Sequence, residues 1–202
     1  MDNLIIIGAG GHGRVIFDIA LSLNKYKTVS FLDDQKVGAK NVLGKVSDFS
    51  KFLSSHEFVV GIGDEKVREK IALMLKDSGA KIVSLVHEKA VIGSDVSIGN
   101  GTVVMAGAVI NNGAKIGEGV IVNTCASIDH DAEVGDYTHV SIGARIAGTV
   151  KIGSFVFVGP GAVVCKNLSV IDNVKIGAGA VVLNNIAEKG LYVGVPATLK
   201  VK

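Results

Sequence analysis

The sequence predicts an α/β front domain followed by a three-sided solenoid of short parallel strands. Three observations lead there: an apolar strand that runs into a glycine turn, an Ile/Val repeat of period six, and glycines at eighteen-residue spacing within that repeat. The composition agrees. Of 202 residues 26 are Gly, aromatics make up 5% and Trp is absent, so the core must be built from small branched side chains and tight turns.

The front covers residues 1–85. It opens with "LIIIGAGGHGRVIFDIALSL", a strand, a glycine turn and a helical pattern. Gly8, Gly10 and Gly13 fit G-x-G-x-x-G, a turn that brings backbone N–H groups and a helix N-terminus close to phosphate. A second strand, "TVSFLDD", ends in Asp33 and Asp34, where an acid can meet a ribose or base. "EFVVGIGD" is a third strand and turn, residues 64–79 a helix, and "KIVSLV" a fourth strand leading into the repeat. A dinucleotide fold needs two βαβαβ halves, and about half of one is present. One nucleotide is therefore the expected ligand of this front.

Residues 86–202 carry the repeat. Stepping by six from Val86 to Val182 meets Ile or Val at all seventeen positions. Four residues after each comes Ala, Val, Thr, Leu or Ile, from Ala90 through Ile186. Two inward side chains per six residues describe one flat face of a solenoid, and three such faces make an eighteen-residue coil. Gly99, Gly117, Gly135 and Gly153, eighteen apart, are expected along one edge. The irregular loops of a β-sandwich would break so strict a register within a few strands.

Other classes are disfavoured. Net charge is +2 with no basic stripe, which gives no case for nucleic acid. Cys125 and Cys165 form no C-x-x-C, and two free thiols suggest a reducing, cytoplasmic setting. The N-terminus lacks the features of a signal peptide, and the longest uncharged run, residues 96–114, holds four glycines and several polar residues. A cytoplasmic chain with no membrane insertion is expected. No metal-ligand spacing occurs, so no metal is expected.

Reactive side chains concentrate in "IDHDAEVGDYTHVSIG", residues 128–143. His130 is the third residue of its hexad and His139 the last of the next, so both should point outward. Asp129 and Asp131 flank His130, favour its imidazolium and raise its basicity, which suits a general base. The two histidines are nine residues apart, half a coil, and should lie on opposite sides of one prism. They can converge only across a boundary between two prisms.

The whole chain resembles the hexapeptide-repeat acyltransferases. It is similar to the branch that holds nucleotide-linked 4-amino-sugar N-acetyltransferases and sialic acid O-acetyltransferases. "GAGGHG", "FLDD", "IDHD", His139 and the closing "GLYVGVPA" carry the likeness. It implies a left-handed parallel β-helix behind a small Rossmann-like front, assembled as a homotrimer. It also implies acetyl-CoA as co-substrate and a UDP- or dTDP-linked 4-amino-4,6-dideoxy sugar as acceptor, in bacterial surface-glycan biosynthesis. By the same resemblance His130 is the base and Asp131 its partner, a carboxylate one methylene shorter than the glutamate often found there. His139 would contact the acetyl-CoA carbonyl, with Gly148, Pro160 and Ala178 along the coenzyme groove. Gly10, Gly11, His12, Asp33, Asp34 and Gly63 would hold the sugar nucleotide. O-acetylation of sialic acid is the alternative, and a trimeric sugar-nucleotide-binding scaffold without turnover is a second.

Overall fold

The computed structural model describes residues 2–200. The chain divides into two compact units, residues 1–88 and 89–202.

The first unit is built on five parallel strands: β1 (Asp2–Ile7), β2 (Tyr26–Leu32), β3 (Val42–Gly44), β4 (His56–Val60) and β5 (Lys81–Ile82). Their order is β3-β2-β1-β4-β5. β1 lies at the centre, and its Leu4, Ile5, Ile6 and Ile7 are wholly buried, as an uninterrupted apolar run requires when both faces of a sheet are covered. α1 (Gly11–Ser22) follows β1 and buries Ile16, Ile19 and Ala20. Gly13 must be glycine, because a Cβ there would stand 1.9 Å from the Gly8 carbonyl oxygen. The helix expected over residues 64–79 forms as α2 (Glu65–Asp77), with Asp64 as its cap accepting from the Val67 N–H at 2.9 Å. The segment "KIVSLV" splits. β5 closes where the Val83 N–H reaches the Phe58 carbonyl at 2.9 Å, and Leu85–Val86 forms a separate short strand.

The second unit is a left-handed parallel β-helix. Its first face stacks Val91–Ile92, Val109–Ile110, Ser127–Ile128, Arg145–Ile146, Val163–Val164 and Val181–Val182. The second face stacks Ser97–Ile98, Lys115–Ile116, Glu133–Val134, Lys151–Ile152 and Ser169–Val170. Within this unit the third face carries Val103–Val104, Ile121–Val122, His139–Val140, Phe157–Val158 and Lys175–Ile176, then Leu191–Val193 and Thr198–Leu199. Through the regular coils each residue pairs with the one eighteen places on, as Ser127 does with Arg145 and His139 with Phe157.

The interior follows the repeat. Ile110, Val122, Ile128 and Val140 are fully buried, as are the small residues Ala108, Ala114, Ala126 and Ala132. Thr102 and Thr138 occupy the small-residue slot and are equally buried. The Thr138 hydroxyl donates to the Gly153 carbonyl at 2.8 Å and accepts from the Val156 N–H at 3.0 Å, and Thr102 repeats the arrangement one coil-pair below. Each hydroxyl thus bridges one coil to the next, which is why a polar atom is tolerated there.

The eighteen-spaced glycines do line one edge, between the second and third faces. The reason is space: a Cβ on Gly99 would lie 2.5 Å from the Gly117 carbonyl carbon. The left-handed turn residue of each hexad lies two places further on. There the chain accepts Asp131 (φ 56°), Tyr137 (φ 56°), Thr149 (φ 60°) and Phe155 (φ 56°) as well as glycine.

Candidate active site

His130 and Asp131 sit in the corner between the first and second faces. Side chains adjacent in sequence normally point to opposite sides of an extended chain. The positive φ of Asp131 breaks that alternation, and its Oδ2 meets His130 Nδ1 at 2.9 Å. The shorter carboxylate therefore reaches the imidazole. The turn is fixed from below, where Asp129 Oδ1 accepts from the His130 N–H (2.8 Å) and from the Asn111 side chain (2.7 Å). Those two donors hold the Asp129 carboxyl below its usual range. The Asp131 hydrogen bond, with the Asp129 charge adding to it, raises the His130 pKa above that of an ordinary imidazole. When His130 is neutral its proton lies on Nδ1, toward Asp131, and Nε2 carries the basic lone pair. The side chain is 57% exposed, so the ring is open to solvent on the outside of the coil.

His139 lies on the third face, opposite the corner that holds His130. The Asn123 carboxamide oxygen accepts from the Thr124 N–H at 2.8 Å, which turns its amino group toward His139 Nε2 at 3.0 Å. His139 Nε2 is then an acceptor, and the neutral ring carries its proton on Nδ1. The Phe157 ring packs edge-on against it, with centroids 5.3 Å apart.

The remaining coenzyme candidates separate. Pro160 and Ala178 are exposed and stack one coil apart in the corner between the third and first faces, where the Gly179 N–H donates to the Pro160 carbonyl at 2.9 Å. Gly148 lies in the other corner, against His130. No single chain brings His130 and Gly148 together with His139, Pro160 and Ala178.

In the first unit Gly10, Gly11, His12, Asp33, Asp34 and Gly63 all line one cavity of about 450 Å³. Asp33 is committed to the loop: it accepts from the N–H groups of Ala9 (2.7 Å), Gln35 (2.9 Å) and Lys36 (3.1 Å). Desolvation pushes its pKa up, but these donors outweigh it and hold the carboxyl below its usual range. Asp34 uses one oxygen on the Val46 N–H at 2.9 Å. His12 Nε2 is buried without a hydrogen-bond partner in this structure. Burial, with the nearby Arg68 charge adding, lowers the His12 pKa to about 4, so the ring is neutral near pH 7. A buried polar atom left open beside a cavity fits contact with a ligand.

A larger concavity of about 690 Å³ runs along the second face and holds none of the candidate residues. Its middle is an ion-pair column in which Glu133 meets Lys115 at 3.3 Å and Lys151 at 3.9 Å. Among the described residues no group of His, Cys, Asp or Glu is placed to hold a metal, and no helix is long and apolar enough to cross a membrane.

Residues 3–75 match the PglD N-terminal domain family, and residues 89–124 match the bacterial transferase hexapeptide (six repeats) family. The acetyltransferase domain of PglB from Neisseria gonorrhoeae shares the fold with a TM-score of 0.95 at 34% identity, covering 99% of this chain and 100% of that one. The chain belongs to the hexapeptide-repeat acetyltransferases, in their nucleotide-amino-sugar branch. Another member of the family, PerB from Caulobacter crescentus, was solved with CoA and GDP-perosamine. It matches with a TM-score of 0.93 at 30% identity over 99% of this chain and 98% of that one. UDP-N-acetylbacillosamine N-acetyltransferase of Bacillus subtilis (strain 168) is 31% identical over 113 residues, which span 52% of that relative.

Two supporting residues were not singled out from the sequence, and Gly148, expected along the coenzyme, was not expected against His130. Asn111 and Gly148 lie eighteen residues from Asp129 and His130, so stepping by one coil would have found both contacts. Asn123 lies sixteen before His139 and carried no such signal.

Proposed function

We propose that this chain is an acetyl-CoA-dependent N-acetyltransferase acting on the amine of a nucleotide-linked 4-amino-4,6-dideoxy sugar. The observation that carries the reading is the exposed His130–Asp131 pair, with Nδ1 on the carboxylate and Nε2 left as the basic nitrogen, in a chain of this family. The acceptor's nucleotide is assigned to the front cavity. UDP or dTDP is its expected carrier, and the GDP-sugar bound by the Caulobacter relative adds a third to be tested.

The chemistry needs little beyond positioning. His130 Nε2 takes a proton as the amine attacks the thioester carbonyl, and the imidazolium that forms is stabilised by Asp131. The tetrahedral oxyanion then collapses and expels the coenzyme A thiolate. An activated thioester needs no protein nucleophile, so donors aimed at the oxyanion matter more. His139 is assigned to the acetyl carbonyl, donating from Nδ1, with backbone at Gly148, Pro160 and Ala178 along the coenzyme. Since His130 and His139 occupy opposite sides of one prism, the reading places each site between two chains of a homotrimer. Both substrates are cytoplasmic metabolites, and a cytoplasmic enzyme is the corresponding proposal.

The test combines binding with turnover. Thermal shift against UDP-, dTDP- and GDP-linked 4-amino sugars identifies the acceptor by mass-action stabilisation. Thiol release from acetyl-CoA with that acceptor then measures transfer. His130→Ala should lower turnover by about 10²–10⁴-fold while coenzyme binding persists. A loss below about fivefold, less than general-base catalysis contributes, would remove His130 from the mechanism.

A further inference from the structure

The turn one coil above His130, Ala147-Gly148-Thr149, has an arrangement that coenzyme lining does not explain. A Cβ on Gly148 would stand 2.4 Å from His130 Nε2, 2.7 Å from Cε1 and 3.0 Å from Cδ2. Its three nearest neighbours are all atoms of that one ring. Gly148 lies outside the left-handed region, so its backbone does not itself demand glycine, and the nearest obstacle to a side chain is the imidazole.

The backbone at this point cannot easily yield. The Gly148 carbonyl accepts from the Thr149 hydroxyl (2.7 Å) and from the Asn167 N–H (3.2 Å), while the Thr149 N–H donates to the His130 carbonyl (2.9 Å). Thr149 is β-branched at φ 60°, a conformation such residues rarely hold unless their surroundings impose it. Its hydroxyl also touches the Asn167 side chain. The ring therefore has a carboxylate at Nδ1 and a rigid, bare α-carbon beside Nε2.

We propose that Gly148 is a positioning residue for His130: its missing side chain lets the imidazole keep Nδ1 on Asp131 while Nε2 stays open to the acceptor amine. Any side chain at 148 displaces the ring from its carboxylate and fills the space beside the basic nitrogen. This deepens the reading of His130 as the base and rests on it.

The test uses the full chain labelled with ¹⁵N-histidine, the His130 signals being assigned by their loss in His130→Ala. Wild-type His130 should titrate above the ordinary imidazole midpoint, and in Gly148→Ala that midpoint should fall toward it. Turnover should fall about ten- to a hundredfold, the size expected of a displacement near 1 Å. KM for acetyl-CoA should change by less than about twofold, because the lost interaction is made in the transition state. An unchanged midpoint overturns the proposal, and if KM for acetyl-CoA rises instead, Gly148 serves the coenzyme. A fallen midpoint with unchanged turnover keeps the positioning contact but refutes His130 as the base. Gly148→Ala made in the His130→Ala background should melt like His130→Ala itself. A further loss of stability there would place the steric demand elsewhere and overturn the proposal.

Discussion

At the scale of single residues, two histidines are tuned in opposite directions. His130 is exposed and bound to a carboxylate, so its pKa is raised. A base must be neutral to act, so the rate should fall on the acid side through a midpoint above the ordinary value of about 6.5. Asp131→Asn should move that limb downward and lower the plateau, because the weaker base is neutral at lower pH but accepts a proton less readily. The kcat/KM profile against pH checks this, and an unmoved limb would mean the carboxylate is uncoupled from catalysis. His12 is buried and held neutral, with its pKa lowered to about 4. Its unfolded value of about 6.5 lies higher, so its contribution is complete above that pH and is lost as pH falls toward 4. The full shift corresponds to roughly 3 kcal/mol. Denaturant unfolding at neutral pH and near pH 4.5 should show His12→Gln losing less stability on acidification than the wild type. Equal losses would show that burial does not hold His12 neutral.

At the scale of the coil, two threonines act as rivets. Thr138 is fully buried, and its hydroxyl supplies both the acceptor for Val156 N–H and the donor to Gly153 O. Thr138→Val preserves the shape but strands both backbone groups, which should cost about 1–3 kcal/mol. Equilibrium unfolding measures the loss, and a variant as stable as wild type would mean the turn closes without the hydroxyl. Ala at the same slot behaves differently: the Ala126 and Ala144 N–H groups bond directly to the Asn123 and Ser141 carbonyls at 3.0 Å. One slot therefore carries two solutions, and the residue type selects between them.

At the scale of the whole molecule, the proposed site depends on assembly. His130 occupies a corner of the prism and His139 the face opposite, so on the proposed reading each site takes one histidine from each of two chains. Co-expression of inactive His130→Ala chains with inactive His139→Ala chains should restore some activity. Random mixing places both intact histidines at about a quarter of the interfaces and both lesions at another quarter. His139→Ala must first be shown to be severely impaired on its own. Mixed trimers as inactive as either parent would place both histidines in a site built by one chain.

The period-six Ile/Val pattern determined the coil, its three faces and its register, because three inward-facing hexads close one eighteen-residue turn; its left hand came from the family resemblance and not from the period. The glycine turn and the acids after β2 likewise made the front cavity legible: all six residues expected there line it. The pairing of His130 with Asp131 could be suspected from adjacency, but not its geometry. That depended on a left-handed turn at a residue that is not glycine, a conformation imposed by stacking between coils. The Ala9 N–H donor to Asp33 was equally hidden, since it arrives only when β1 and β2 lie side by side, whereas the Gln35 and Lys36 donors belong to a local turn. The space denied to residue 148 arises because the next coil passes over the imidazole within contact distance. A repeat written along the chain specifies which residues face inward; what touches across coils is decided only when eighteen residues of winding return the chain upon itself.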